Sequence, residues 1–319
     1  MKRLLKKIST IGMSREEWLA LRRHSIGGSD AAAIVGLSKY SSPFSVWADK
    51  TGRLPDKPDN EAMRQGHDLE EYVAQRFSES TEKRVKRCNA MLYNPAYPHS
   101  HADVDRMIVG ENAGLECKTT STLDLKQFRG VEFPEKYYAQ CVHYMAITGA
   151  DRWYLAVLVF GREFHVYTLE RDEAEIRALM DAETAFWEQY VETDTPPAPD
   201  GAQATTDAIA TVYAEAYDSD ALSLLGHETE LEEYASLKSQ KKQIDLRLSE
   251  IENAIKVEMQ ECERAVCGAY RITWKQQEGR RSFSVQSLSH DYPDIDISRY
   301  YETGKPYRTF KITENKEDN

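Results

Sequence analysis

The chain has 319 residues, 41% hydrophobic and 29% charged, enough apolar material for its own core and enough length for two domains. A net charge of −12 argues against a protein that coats nucleic acid by bulk electrostatics, though not against a local basic site. There is no apolar run of about 18 residues to span a membrane, the basic opening MKRLLKKI lacks the apolar stretch of a secretory signal, and five scattered cysteines without a CxxC pair read as reduced cytoplasmic thiols.

Ser14-Arg15-Glu16-Glu17 has the residue types of a capping box and opens a helix carrying Trp18 and Leu21. Gly27-Gly28-Ser29-Asp30 is a glycine-rich turn ahead of a second short helical stretch, Ala31-Ala32-Ala33-Ile34. Residues 61–77 predict a longer helix, 90–118 a series of short strands, and 135–148 an amphipathic helix. The nearly continuous apolar run at 153–160 predicts a buried central strand. It pairs with 163–169 across a Gly161-Arg162 turn, and residues 172–191 predict a closing helix. Residues 1–195 therefore read as an α/β domain.

Three prolines in four residues at Pro196-Pro197-Ala198-Pro199 make 196–201 a stiff linker. The remainder, 202–319, predicts an α+β appendage. Residues 208–217 form a short helix in this reading. Leu237, Ile244 and Ile251 interleave with Leu248, Ile255 and Cys262 as a heptad-like seam on a helix of roughly 35 residues. Segments 270–275, 281–285 and 307–312 alternate like small antiparallel strands. Charge is uneven: residues 1–129 hold 21 Lys+Arg against 17 Asp+Glu, while 130–200 hold 5 against 14 and 201–319 hold 15 against 22. A polyanion would therefore bind the first 129 residues.

Chemistry concentrates in Asp105, Glu116 and Lys118, with Glu70 upstream. On a strand, Glu116 and Lys118 face the same side while Leu115 and Cys117 turn to the core. Carboxylates beside an ammonium at a strand end suit a hard divalent cation and its attacking water. An isolated Glu-x-Lys is more often an exposed salt pair, but here an Asp lies eleven residues upstream, with a Gly/Asn-rich turn between. At the glycine-rich turn, a helix start with Arg22 nearby would hold a phosphate; the plainer alternative is a Ser- or Asp-capped helix with Arg22 in a surface pair. Trp18 and Trp47 are expected in the core, with stacking on an unpaired base as the lesser alternative, the histidines at the surface or in hydrogen bonds, and the basic run 83–87 at a solvated edge or on a phosphate backbone.

Several ordered motifs resemble the lambda-exonuclease-like, YqaJ-type viral recombinase branch of the PD-(D/E)xK nucleases. These are Trp18 to Arg22 with Ile26-Gly27-Gly28-Ser29, Gly66-His67-Asp68-Leu69-Glu70, Asp103-Val104-Asp105, Leu115-Glu116-Cys117-Lys118, and Tyr137-Tyr138-Ala139-Gln140. The resemblance covers about residues 14–190 and implies a restriction-endonuclease-like core, a mixed central sheet flanked by helices. It implies that Asp105 and Glu116 ligate Mg²⁺ (or Mn²⁺), two ions per site, with the Cys117 backbone carbonyl as a third ligand. Lys118 would position or activate the water, Glu70 would support the metal–water network, and Gln140 would orient the water or Lys118. Arg22, Ser29, Gly28 and Tyr137 would contact DNA, with Arg22 and Ser29 holding a 5′-phosphate. Asp103 departs from the hydroxyl residue usual there and adds negative charge beside that phosphate.

The implied activity is 5′–3′ exonuclease action on linear duplex DNA in the cytoplasm, leaving 3′ overhangs for phage-type recombination with a single-strand annealing partner. The implied assembly is a ring-shaped homotrimer, whose enclosure of DNA would let an acidic protein stay on its substrate. Two alternatives remain: an endonuclease or nickase on the same core, and a non-catalytic module binding DNA ends or a recombinase. A nuclease with an iron–sulfur cluster is excluded by cysteine placement. The appendage is expected to serve oligomer contact or partner docking.

Overall fold

The apolar run at 153–160 becomes β7 (Arg152–Val159), buried without interruption from Trp153 to Val157, as a strand covered on both faces requires. The computed structural model describes residues 5–56, 60–121, 133–217, 221–304 and 306–313. β7 runs parallel to β6 (Ala113–Thr120) and antiparallel to β8 (Glu163–Glu170), the latter across a turn where Gly161 adopts φ 65°. A parallel pair needs a crossover, and α5 (Glu135–Thr148) lies within it. β2 (Val85–Arg87) and β5 (Arg106–Ile108) complete a mixed five-strand sheet in the order β2-β5-β6-β7-β8. A second sheet joins β1 (Lys6–Ser9), β3 (Ala90–Tyr93) and β4 (His101–Asp103).

Helices cover both faces of the five-strand sheet, which meets the α/β expectation. α4 (Glu61–Thr81) sets Val73, Ala74 and Phe77 against Leu115, Tyr154 and Ala156. On the opposite side, Val142 and Met145 of α5 cluster with Trp153 and with Ile176 and Met180 of α6 (Glu173–Phe186). α6 passes into a π-helical turn at Trp187–Val191. α1 (Arg15–Arg23) begins with the expected capping box, Ser14 and Glu17 satisfying each other's backbone N–H. α2 (Gly28–Ile34) and α3 (Pro43–Lys50) follow; Ser42 caps α3, and Pro43 takes the first-turn position where its missing N–H is harmless.

The chain forms two compact units, Met1–Ala216 with Tyr307–Asn319, and Tyr217–Pro306. Beyond the proline-rich segment, α7 (Gln203–Val212) packs Ala208 in one cluster with Phe44, Trp47 and Phe186. The second unit carries α8 (Glu228–Met259), a hairpin of β9 (Arg264–Cys267) and β10 (Tyr270–Thr273), and α9 (Val285–Asp291). The long helix appears as expected, with Leu237, Ile244, Leu248 and Ile251 of its seam exposed.

Two expected strands do not form. Residues 281–284 are irregular and end in Ser284, the N-cap of α9, and 307–312 are irregular as well. Alternation makes a strand only where a neighbouring backbone offers hydrogen bonds. At 307–312 the sequence instead leaves Tyr307 and Phe310 exposed, and the Arg308 guanidinium donates to the Tyr213 carbonyl at 3.0 Å. Among the described residues, no helix is long and apolar enough to cross a membrane.

Candidate active site

Strand alternation on β6 buries Leu115 under α4 and turns Glu116 and Lys118 toward a cavity of about 480 Å³. Asp105 sits in the bend between β4 and β5, and its Oδ2 accepts the Cys117 N–H at 2.7 Å, which fixes it beside β6. Glu116 is almost fully buried. Its Oε1 takes Lys118 Nζ at 2.5 Å and Gln140 Nε2 at 2.7 Å. Its Oε2 is buried with no hydrogen-bond partner. Gln140 also donates to the Tyr144 hydroxyl at 2.9 Å, so α5 holds Glu116 through a short polar chain.

Nine of the ten residues expected in the site line this cavity. The tenth, Tyr137, presents its ring 5.5 Å from Lys118 Nζ. Glu70 is present but engaged: the buried Arg106 guanidinium holds it and also reaches Glu71 at 3.0 Å and the Asp105 carbonyl at 2.8 Å. At the other end, Arg22 Nη2 donates to Ser29 Oγ at 2.8 Å, and the guanidinium lies 4.7 Å from the centre of the Trp18 ring. Trp18 Nε1 donates to Asp103 Oδ2 at 2.8 Å.

Several expectations change. Trp18 is half-buried and lines the cavity instead of the core, whereas Trp47 is buried as expected. At α2 the Gly27 N–H is taken by Asp30 at 2.9 Å, and Asp30 is paired with Lys50 at 2.7 Å, so this short helix is capped by its own acid. Gly28 meets a packing demand: a Cβ there would lie 2.6 Å from the Tyr144 ring. In the basic run, Lys83 pairs with Glu111 and Arg87 with Glu71, which is the plain salt-bridged edge. His101 and His143 are fully buried, His143 bonded to Glu183 at 2.7 Å and His101 to Ser25 at 2.8 Å.

Arg106 and Tyr144 are the neighbours that sequence reasoning missed, and Trp18, quoted in the opening motif, was expected in the core instead of at the cavity wall. Trp18 and Arg22 stand four apart on one helix, a spacing that brings side chains together. Arg106 carries no comparable signal, because an arginine after an aspartate reads as a surface residue.

The electrostatics follow from crowding acids in a recess. Burial, then the neighbouring Glu116, pushes the Asp105 carboxyl well above the usual carboxylate range. Burial works against a charged Lys118, but Glu116 and Asp105 outweigh it and hold the ammonium above its ordinary value. Burial, then Asp105 and Glu116, raises the Cys117 thiol well above its usual range, so it is inert as a nucleophile. Burial also raises Asp103, opposed by the Trp18 hydrogen bond and by Arg22.

An unpartnered buried carboxylate oxygen beside a second, mutually repelling carboxylate is a poor arrangement unless a cation completes it. Among the described residues, no group of three or more His, Cys, Asp and Glu side chains forms a ready cage. Asp105, Glu116 and the Cys117 carbonyl nonetheless suit Mg²⁺, which takes one or two carboxylates and fills other positions with water and phosphate oxygen.

Residues 17–151 match the model of the family described as the YqaJ-like viral recombinase domain. The uncharacterized protein YqaJ of Bacillus subtilis (strain 168) is 39% identical over 306 residues, 95% of each chain. An alkaline exonuclease, LHK-Exo from Laribacter hongkongensis, is similar in structure with a TM-score of 0.48 and 21% identity, over 56% of this chain and 93% of its own. A phage-related exonuclease from Haemophilus somnus 129PT gives 0.41 and 13%, over 56% and 100%.

Proposed function

With the chain belonging to the YqaJ-like viral recombinase family, we propose that it is a divalent-metal-dependent nuclease. In this reading it digests linear duplex DNA from 5′ ends and leaves 3′ single strands for recombination by strand annealing. The observation that carries this reading is Glu116: a buried carboxylate with one oxygen tied to Lys118 and Gln140 and the other buried without a hydrogen-bond partner. A module that only binds DNA gains nothing from carboxylates set beside phosphates.

Asp105 and Glu116, with the Cys117 carbonyl, are the groups that would hold Mg²⁺ or Mn²⁺, as one ion or two. When bound there, such an ion would supply Lewis acidity for the hydrolysis. Lys118, kept as an ammonium, donates hydrogen bonds that orient the attacking water and offset phosphate charge. Gln140 holds Glu116 in place, and Glu70, steadied by Arg106, would support the metal–water network. Arg22 and Ser29 receive the 5′ end of the strand. A ring of three copies around the duplex and an annealing partner complete the proposal.

A time course on 5′-labelled and 3′-labelled linear duplex, beside a covalently closed circle, tests it. With Mg²⁺ the 5′ label is released first and the circle survives. Cutting of the circle points to the endonuclease alternative, and no hydrolysis of any substrate refutes the reading.

A further inference from the structure

The end of the cavity away from Glu116 has an unusual charge balance. Arg22 lines it with its guanidinium on Ser29 and the Trp18 ring, whereas Lys50 is committed to Asp30 at 2.7 Å and to the Arg22 carbonyl at 3.0 Å, and Arg106 to Glu70 and Glu71. An acid shares this end of the cavity with Arg22. Asp103 lines the same cavity, and Trp18 joins the two residues, its ring under the guanidinium and its Nε1 bonded to Asp103 Oδ2 at 2.8 Å.

A terminal phosphate carries close to two negative charges at neutral pH, a 5′-hydroxyl none. An Arg–phosphate contact is strong when the guanidinium is unopposed. Here the attraction to Arg22 is set against repulsion from Asp103, and an uncharged 5′-hydroxyl is spared that repulsion. We infer that Asp103 determines end specificity, cancelling the advantage of a 5′-terminal phosphate so that digestion starts equally well from phosphorylated and hydroxyl ends. The inference rests on the nuclease reading of the site.

Indifference, not rejection, is what the chemistry requires. Water's oxygen bonds to phosphorus as the P–O3′ bond breaks. One water proton passes to O3′, the other leaves from the new phosphate to solvent, and the next 5′ end carries a phosphate that the cavity must still admit.

The test compares first-nucleotide release from duplexes with 5′-phosphate or 5′-hydroxyl ends, for the natural chain and for Asp103→Asn and Asp103→Ser. Asp103→Asn keeps the shape and an acceptor for Trp18. End binding of the same duplexes, read by anisotropy in EDTA, supplies a second ratio that does not require cleavage. The natural chain should favour phosphate by no more than threefold in both measurements. Both variants should raise that ratio at least fivefold; tenfold corresponds to about 1.4 kcal/mol. A larger preference in the natural chain, or a smaller rise in the variants, overturns the assignment of Asp103. Absence of release from either end with Mg²⁺ or Mn²⁺ would instead remove the nuclease reading, and the binding ratios would then decide the role of Asp103 alone.

Discussion

Gly28→Ala separates two roles for the glycine-rich turn. A β-carbon at Gly28 would lie 2.6 and 2.9 Å from the Tyr144 ring and 3.1 Å from Gln140 Cγ, well inside van der Waals contact. Tyr144 has little room to retreat, since it is 5% exposed, its ring centre is 5.2 Å from that of Trp153, and its hydroxyl accepts from Gln140. Overpacking of this kind costs about 1–3 kcal/mol, while alanine in place of glycine gains about 0.4–1 kcal/mol by restricting the unfolded chain. The net expectation is a loss of about 1–2 kcal/mol in urea unfolding, with reduced turnover because Gln140 holds Glu116. Tyr144→Leu should absorb part of the clash, so the double variant loses less than the two single changes add up to. If Gly28 instead serves only backbone approach to DNA, Gly28→Ala weakens end binding and leaves unfolding unchanged. Stability within about 0.5 kcal/mol of the natural chain would refute the packing account.

Gln140→Ala should lower kcat roughly 10- to 100-fold with little change in KM, as expected for a group that positions a ligand; equal effects on binding and turnover would count against that role. Lys50→Met strands the Asp30 carboxylate and should cost about 3–5 kcal/mol in urea unfolding. Adding Asp30→Asn should restore most of it, and a lone Lys50→Met at natural stability would contradict the pairing. Stability should also fall in acid through His101. Burial first, then the charges of Lys50 and Arg22, lowers its pKa to about 3 from an ordinary 6.5. The unfolded chain binds this proton more readily between those values, so stability declines as pH drops from 6.5 toward 3, by up to about 1.4 kcal/mol per pH unit. His101→Asn should remove that slope; an unchanged profile would show that His101 titrates normally.

Local periodicity made the core of the fold legible. β7 is a long apolar run, α5 spans the same residues in sequence and structure, and Glu116 and Lys118 share a face because strands alternate. The pinning of Asp105 to the Cys117 N–H was not legible, because it depends on a bend between two short strands meeting β6. Arg106 escaped for the same reason: its burial between Glu70 and Glu71 arises only when α4 crosses the sheet. Residues 307–312 misled because alternation specifies a face but supplies no partner strand. Trp18 misled because a tryptophan's area predicts burial, whereas its polar edge holds Asp103 at a cavity wall.

Calorimetric titration of Mn²⁺ into the natural chain and into Asp105→Asn and Glu116→Gln tests the carboxylate pair without requiring DNA. Saturable binding in the natural chain, lost or weakened at least tenfold in both variants, is the expected result. Equal binding by all three proteins, or none by the natural chain, would contradict a catalytic metal at Asp105 and Glu116.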